Sequence, residues 1–190
     1  MLLTSRMLLE NGACTHWHSV FDYRFPNGLR LYTKYDLADA IRFGGMGPVL
    51  EWFICTFDDL KQIEHLKNSS GKIYLTDCSF EKADLMGLKC RDTDFSGSSF
   101  KLSNLHFSCF NRCVFKESPM RFSLLKNCQI RSCDFTKADL TGAYLHGANL
   151  EFTSVKDTKL DAIQVDDKTI WASSEPMPME LNGARTIILS

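Results

Sequence analysis

Apolar residues recur at every fifth position, without a break, from Leu75 to Val165. The positions are Leu75, Phe80, Leu85, Cys90, Phe95, Phe100, Leu105, Phe110, Phe115, Met120, Leu125, Ile130, Phe135, Leu140, Leu145, Leu150, Val155, Leu160 and Val165. With 44% of the chain hydrophobic, independent placement would give this run on the order of once in ten million in a chosen frame. The residue two places earlier is Ala, Ser, Thr or Cys in sixteen of the nineteen cases, so large and small inward residues alternate. Leu88 and Cys90 exchange the two roles, which keeps the buried volume nearly constant, as close packing requires. Ile73 and Ile163, the other departures, lie at the two ends.

A period of five is neither the 3.6 of a helix nor the 2 of a strand. It predicts a coiling chain whose short straight faces meet at corners. Positions twenty apart repeat: Leu85, Leu105, Leu125 and Leu145 make one column, and Phe95, Phe115 and Phe135 another. These seven residues are the predicted core of coils of twenty residues, stacked into a rod roughly 20 to 25 Å long. Gly87, Gly97, Gly142 and Gly147 all fall two places after the central residue, where a tight corner favours a residue without a side chain. Asp84, Asp94, Asn104, Asp134, Asp139 and Asn149 directly precede it. Burial of each central side chain contributes roughly 1.5 to 3 kcal/mol, most of it offset by chain entropy. Each coil touches only its neighbours, so both ends need covering.

Segments such as KADLTGAYLHGANLEF (137–152) resemble the pentapeptide-repeat proteins. The resemblance covers half of the chain and implies a right-handed parallel quadrilateral β-helix, four pentapeptides to a coil, in a mainly β fold. Residues 166–171 (DDKTIW) resemble the closing segment that follows the last coil in that family, which implies that Trp171 lies over the open core.

Residues 1–70 lack the five-residue period and are expected to form an N-terminal α/β cap, ahead of the rod over 71–171 and a tail over 172–190. Bulky residues alternate in FDYRFPNGLRLYT (21–33) on either side of Pro26-Asn27-Gly28, which predicts a β-hairpin. Asp36 is placed to cap a helix reaching Arg42, stopped by Gly44 and Gly45. Further helices are expected over 48–55 and 58–67, the latter with Leu60, Ile63 and Leu66 at helical spacing. In the tail, residues 186–189 are either loose or an added edge strand.

A formal net charge of -1 and the absence of any apolar run of eighteen residues fit a chain that does not span a membrane. Arg6 interrupts the first apolar residues and no long apolar stretch follows, so no cleaved secretory signal is expected. Eight cysteines then point to a reducing, cytoplasmic setting rather than to disulfides. Cys78, Cys90, Cys113, Cys128 and Cys133 fall at inward positions, where Cys acts as a small hydrophobe, and only Cys109 within the repeats points outward. Cys113 and Cys133 stack with parallel side chains, poor geometry for a disulfide. Cys14, His16 and His18 share one side of an extended strand, but a closed zinc site needs a fourth ligand, and none stands at the required spacing. No metal or cofactor is predicted.

Function is expected on outward positions. Residues 71–165 carry thirteen Lys and Arg against eleven Asp and Glu, whereas the topoisomerase-binding DNA mimics of the resembled family need a mostly acidic surface. Six basic residues, Lys101, Arg112, Lys116, Arg121, Lys126 and Arg131, face one acid, Glu117, in the middle of the rod. They are spread over all sides as a belt and not as the continuous stripe that nucleic acid would favour. Leu102 and Phe122 share one corner column and Phe107 lies at the next. With Lys101 and Arg121 beside them they form a predicted docking site, either for another protein or for the N-terminal region or tail of this chain. No nucleophile, base and orienting group stand in register, so no enzyme is predicted. The expected role is a non-enzymatic scaffold for a protein partner that the residues do not name, with exposed coil ends a route to a homodimer. GPVLEWFICTF (47–57) resembles the segment preceding the repeats in some type III secreted effectors. That resemblance implies delivery into a host cell and host proteins as partners.

Overall fold

The computed structural model describes residues 2–10, 12, 19, 21–23, 25–44, 66, 71–171 and 185–186. Residues 71–171 form a right-handed parallel quadrilateral β-helix. Its strands are very short: β3 (Ile73–Tyr74), β4 (Lys89–Arg91), β5 (Thr93–Asp94), β6 (Cys109–Asn111) and β7 (Gln129–Arg131). β3 pairs with β5, and β4, β6 and β7 stack in that order, always in parallel and always twenty residues apart. Single bridges continue the same register elsewhere, including Asp84↔Asn104, Asn104↔Leu124, Leu124↔Tyr144 and Tyr144↔Gln164.

The period of five follows from the corners. Every residue two places after a central position, from Asp77 to Ala162, has a positive φ. At most corners the N–H of the following residue bonds back to the central carbonyl, as in Ser98 to Phe95 (2.9 Å) and Ala143 to Leu140 (2.8 Å), a β-turn with its left-handed residue third. All six Asp and Asn residues that precede a central position accept the N–H two residues on; examples are Asp94 from Ser96 (3.0 Å) and Asp134 from Thr136 (2.9 Å). These side chains fasten the turn entry, which accounts for their placement.

The seven predicted core residues are all buried. Phe95 and Phe115 stack at 5.2 Å between ring centroids, and Phe115 and Phe135 at 4.7 Å. The small inward residues also work as donors: Ser118 Oγ donates to the Phe95 carbonyl (2.8 Å), Thr153 Oγ1 to Ile130 (3.0 Å) and Cys128 Sγ to Leu105 (2.8 Å), each reaching the preceding coil. These three buried groups are thereby satisfied at sites with room only for a small side chain.

At the first coil, α2 (Lys34–Gly44) lies against the repeat: Lys34 Nζ donates to Thr76 Oγ1 (2.6 Å) and Arg42 Nη1 to Ser79 Oγ (3.2 Å). Leu37, Ala38, Ala40 and Ile41 join the same apolar core as Ile73 and Leu75. The helix starts earlier than the sequence reading placed it. Thr33 is the cap, and Asp36 sits one turn in, accepting the N–H groups of Thr33 (2.7 Å) and Tyr32 (2.9 Å). The expected hairpin over 21–33 is not formed. Residues 21–23 are helical, and the Phe25 N–H bonds to the Phe21 carbonyl (2.7 Å). β2 (Leu29–Arg30) pairs instead with β1 (Leu2–Leu3), which runs antiparallel to it just ahead of α1 (Ser5–Glu10). Phe21 and Phe25 are four apart, a spacing that fits a helix as well as it fits alternation.

At the other end Trp171 is fully buried. The repeat slips by one residue before it: Asn149 pairs with Ile170, twenty-one residues on. Ile170, five residues after Val165, therefore does not continue the central series; Thr169 and Trp171 point inward on either side of it. β8 (Ile170–Trp171) receives β9 (Arg185–Thr186) in parallel, so the tail adds an edge strand at this point. The helices expected over 48–55 and 58–67, the Cys14-His16-His18 strand and the 47–57 segment lie outside the described residues, apart from buried Leu66, whose carbonyl accepts the Tyr74 N–H (2.7 Å).

Candidate functional site

Leu102, Phe107 and Phe122 occupy corners with φ of 58°, 60° and 56°, and they are 51%, 60% and 52% exposed. A left-handed conformation costs an ordinary residue roughly 1 to 2 kcal/mol relative to glycine. These three side chains thus bear a backbone cost and an exposure cost at the same positions. Leu102 and Phe122 stack in one column, as expected, with Gly142 beneath. Phe122 lies over Gly142, where a Cβ would come within 2.5 Å of its ring.

The column of Leu102 and Phe122 and the column of Phe107 border one and the same side of the rod. Between them run the bridged residues Asn104, Leu124 and Tyr144, and beyond these His106, Lys126 and His146. Phe107 meets His106 edge-on at 6.3 Å, and Tyr144 lies 6.5 Å from His146. Met86 is exposed one coil above. The sequence reading singled out the corners but missed Leu124 and Tyr144; arranging every outward position by column would have placed them beside Phe107.

The other three sides carry ion pairs. Arg112 grips Asp92 through two bonds of 2.6 and 2.5 Å, Lys116 meets Asp134 at 3.2 Å, Arg121 meets Asp139 at 2.6 Å, and Arg131 meets Glu151 at 3.3 Å. Lys72 bonds Asp94 at 2.9 Å. Four of the six cations in the predicted belt are therefore matched to carboxylates, and among the described residues Lys101 and Lys126 have no ion pair. Arg112 holds the Asp92 carboxyl below its ordinary range. Burial pushes Asp139 up, but bonds from Thr141 and Arg121 outweigh it and leave that carboxyl lowered.

Within the three middle coils the Leu102–Tyr144 side holds no carboxylate, only Lys126 with Lys101 and Arg121 along one border. Among the described residues no cluster of three His, Cys, Asp or Glu is placed to hold a metal ion, and no helix is long and apolar enough to cross a membrane.

The family described as Pentapeptide repeats matches residues 78–116 and 123–161 in eight copies. The rod is a pentapeptide-repeat domain. Its solved likenesses include a pentapeptide repeat protein of the Arabidopsis thaliana thylakoid lumen, 19% identical, covering 54% of this chain and 66% of that one, with a TM-score of 0.42. HetL, involved in heterocyst differentiation regulation in the cyanobacterium Nostoc sp. strain PCC 7120, is 15% identical over 49% of this chain and 51% of its own, with a TM-score of 0.24. Full-length QnrB1, a plasmid-mediated fluoroquinolone resistance protein, is 14% identical over 66% of this chain and 88% of its own, with a TM-score of 0.30. No curated protein sequence matches this chain. The pentapeptide-repeat match breaks off over residues 117–122, although the coil runs through them without interruption. In that stretch Pro119 precedes the central Met120, and Arg121 and Phe122 follow it.

Proposed function

We propose that this pentapeptide-repeat protein is a non-enzymatic scaffold whose Leu102–Tyr144 side receives a protein partner. The observation that carries this reading is the placement of Leu102, Phe107 and Phe122, exposed and left-handed, at two corners bordering one side that has no ion pair among the described residues. Glycine occupies other corners of the same rod, so bulky apolar residues here are not demanded by the fold. Both coil ends carry segments of the same chain, which favours a side over an end as the working surface. The six described cysteines are free thiols, five of them buried, which supports a cytoplasmic setting.

The test compares capture of proteins from bacterial and eukaryotic lysates by the intact chain and by a variant with Phe122→Ser and Arg121→Glu. We expect specific capture to be lost while the circular dichroism of the rod is retained. Because Arg121→Glu also sets a carboxylate against Asp139, Phe122→Ser alone serves as the control. Unchanged capture by both variants refutes the docking side.

The segment at 47–57 favours a second reading, an effector delivered into host cells. Fusing residues 1–70 to a reporter and assaying type III secretion tests it, and retention of the reporter rejects it. A topoisomerase-binding role finds less support, since Asp92, Asp94, Asp134, Asp139 and Glu151 are committed to ion pairs. DNA supercoiling unaffected by the protein, with and without a gyrase poison, would dismiss it.

A further inference from the structure

Resting on the scaffold reading, we infer that the Leu102–Tyr144 side binds one short acidic segment of a partner protein, with two or three apolar side chains seated between the corners. Size argues for a segment. Three coils at about 4.8 Å spacing and a straight face about 10 Å wide offer on the order of 150 Å², against roughly 800 Å² per partner in a standard protein–protein interface. Two rods pressed together on these sides would be held too weakly to form a stable dimer.

Charge argues for acid. From Leu102 to Gly147 the side itself holds Lys126 and no carboxylate, with Lys101 and Arg121 along one border; Asp84 and Asp166, one coil above and below, are occupied in accepting from Asn104 Nδ2 (2.9 Å) and the Gly147 N–H (2.8 Å). Arg121 is drawn away from the corner, along its own adjoining side, to Asp139 (2.6 Å). Lys101 and Lys126 have no ion pair among the described residues, and they stand on either side of Phe122 in the numbering of two successive coils. A partner carboxylate at either ammonium would complete what each neighbouring side already does internally. Apolar seats flanked by unmatched cations complement an acidic segment with apolar anchors.

Nucleic acid is the competing polyanion. Phe107, Phe122 and Tyr144 offer ring faces on which bases stack. A phosphate backbone, however, gains its affinity from many cations in a row, and this side presents two unmatched lysines. The balance of apolar to cationic groups favours a peptide.

A random dodecapeptide display library, selected on the full-length protein and counter-selected against a variant with Phe122→Ser and Leu124→Ser, tests the inference. The enriched peptides should be net acidic and carry at least two large apolar residues. A synthetic representative should bind Lys126→Glu and Lys101→Glu proteins at least tenfold more weakly, and its affinity should fall as salt rises. Enrichment of neutral or basic peptides, no enrichment that depends on Phe122 and Leu124, or indifference to both lysine variants overturns it. So does tighter, Phe122-dependent binding of a fifteen-nucleotide oligo(dT). If lysate capture is lost on Phe122→Ser while the library fails in any of these ways, the acidic segment is wrong and the scaffold stands; if capture is also unchanged, both fall.

Discussion

Phe122 lies across Gly142 one coil below, close enough that a Cβ at position 142 would stand 2.5 Å from its Cδ1 and Cε1. The glycine therefore does two things at once. It accepts a φ of +69°, and it leaves the space that holds the Phe122 ring against the rod.

Gly87 separates these effects, because it has a φ of +72° but no atom within 4 Å of where a Cβ would sit. Gly87→Ala should cost roughly 1 to 2 kcal/mol from backbone conformation alone. Gly142→Ala should cost more and should also turn the Phe122 ring outward, weakening any partner held there. Urea denaturation of both variants, with ring contacts of Phe122 followed by NMR, checks this. Equal stability losses and an unmoved ring would show that Phe122 is not positioned by Gly142.

The inward hydroxyls supply a second contrast. Ser118 Oγ donates to the Phe95 carbonyl at 2.8 Å, whereas Ser123 Oγ is buried without a hydrogen-bond partner among the described residues, the Phe100 carbonyl being taken by Ser103. An unsatisfied buried hydroxyl costs about 1 to 3 kcal/mol, and a made bond contributes about 1 kcal/mol. Ser123→Ala should accordingly stabilise the rod by about 1 kcal/mol and Ser118→Ala should destabilise it by a similar amount. Ala already fills the equivalent site at positions 138, 143 and 148. A loss of stability in both variants contradicts the assignment.

The rod was legible because its periodicity is carried by many copies of one local event, the five-residue corner, and errors in single positions do not accumulate. The N-terminal region has no such redundancy. Phe21 and Phe25 satisfy both alternation and helical spacing, and the partner that decides the matter, Leu2–Leu3, is too short to leave a pattern. The ion pairs were hidden for a different reason. Arg112 and Asp92 are one coil apart and share a column, but Arg121 meets Asp139 eighteen residues on and Lys72 meets Asp94 at twenty-two, reaching sideways between columns. A belt of six cations in the sequence is thus largely neutralised in the fold. The apolar side became visible only when both bordering corners and the bridged residues between them were seen together.

The thiols predict an alkaline limit. Burial pushes Cys78 up from its ordinary 9.0 to about 11 and Cys128 to about 12. Cys113 is raised by its hydrogen bond with Cys133 and by burial. Above pH 9 the unfolded chain loses these protons first, so it binds fewer protons than the folded one, and stability must fall as pH rises. The urea midpoint should be level up to about pH 8.5 and decline from about pH 9 toward 11, less steeply in Cys128→Ala. A thiol reagent at neutral pH should modify half-exposed Cys109 well before Cys78 or Cys128. A midpoint that does not move between pH 8 and 10.5 would mean that these thiols are not shielded.

Two large side chains should fail in different ways. Phe115 touches Phe95, Phe135, Phe100 and Phe110 in the middle of the stack, while Trp171 is buried where the last coil closes. Truncating either to Ala should cost about 3 to 5 kcal/mol. In a rod where each coil rests only on its neighbours, the site of the loss decides what opens. Phe115→Ala breaks the coupling between the two halves, so amide protection should drop on both sides of it, from about Phe95 to Phe135. Trp171→Ala removes an end, and exchange should rise over residues 146–171 while the coils nearer α2 keep their protection. Hydrogen exchange read by mass spectrometry distinguishes the two patterns. Uniform loss in both variants would show that the rod unfolds as a single cooperative unit and that its coils are not independent neighbours.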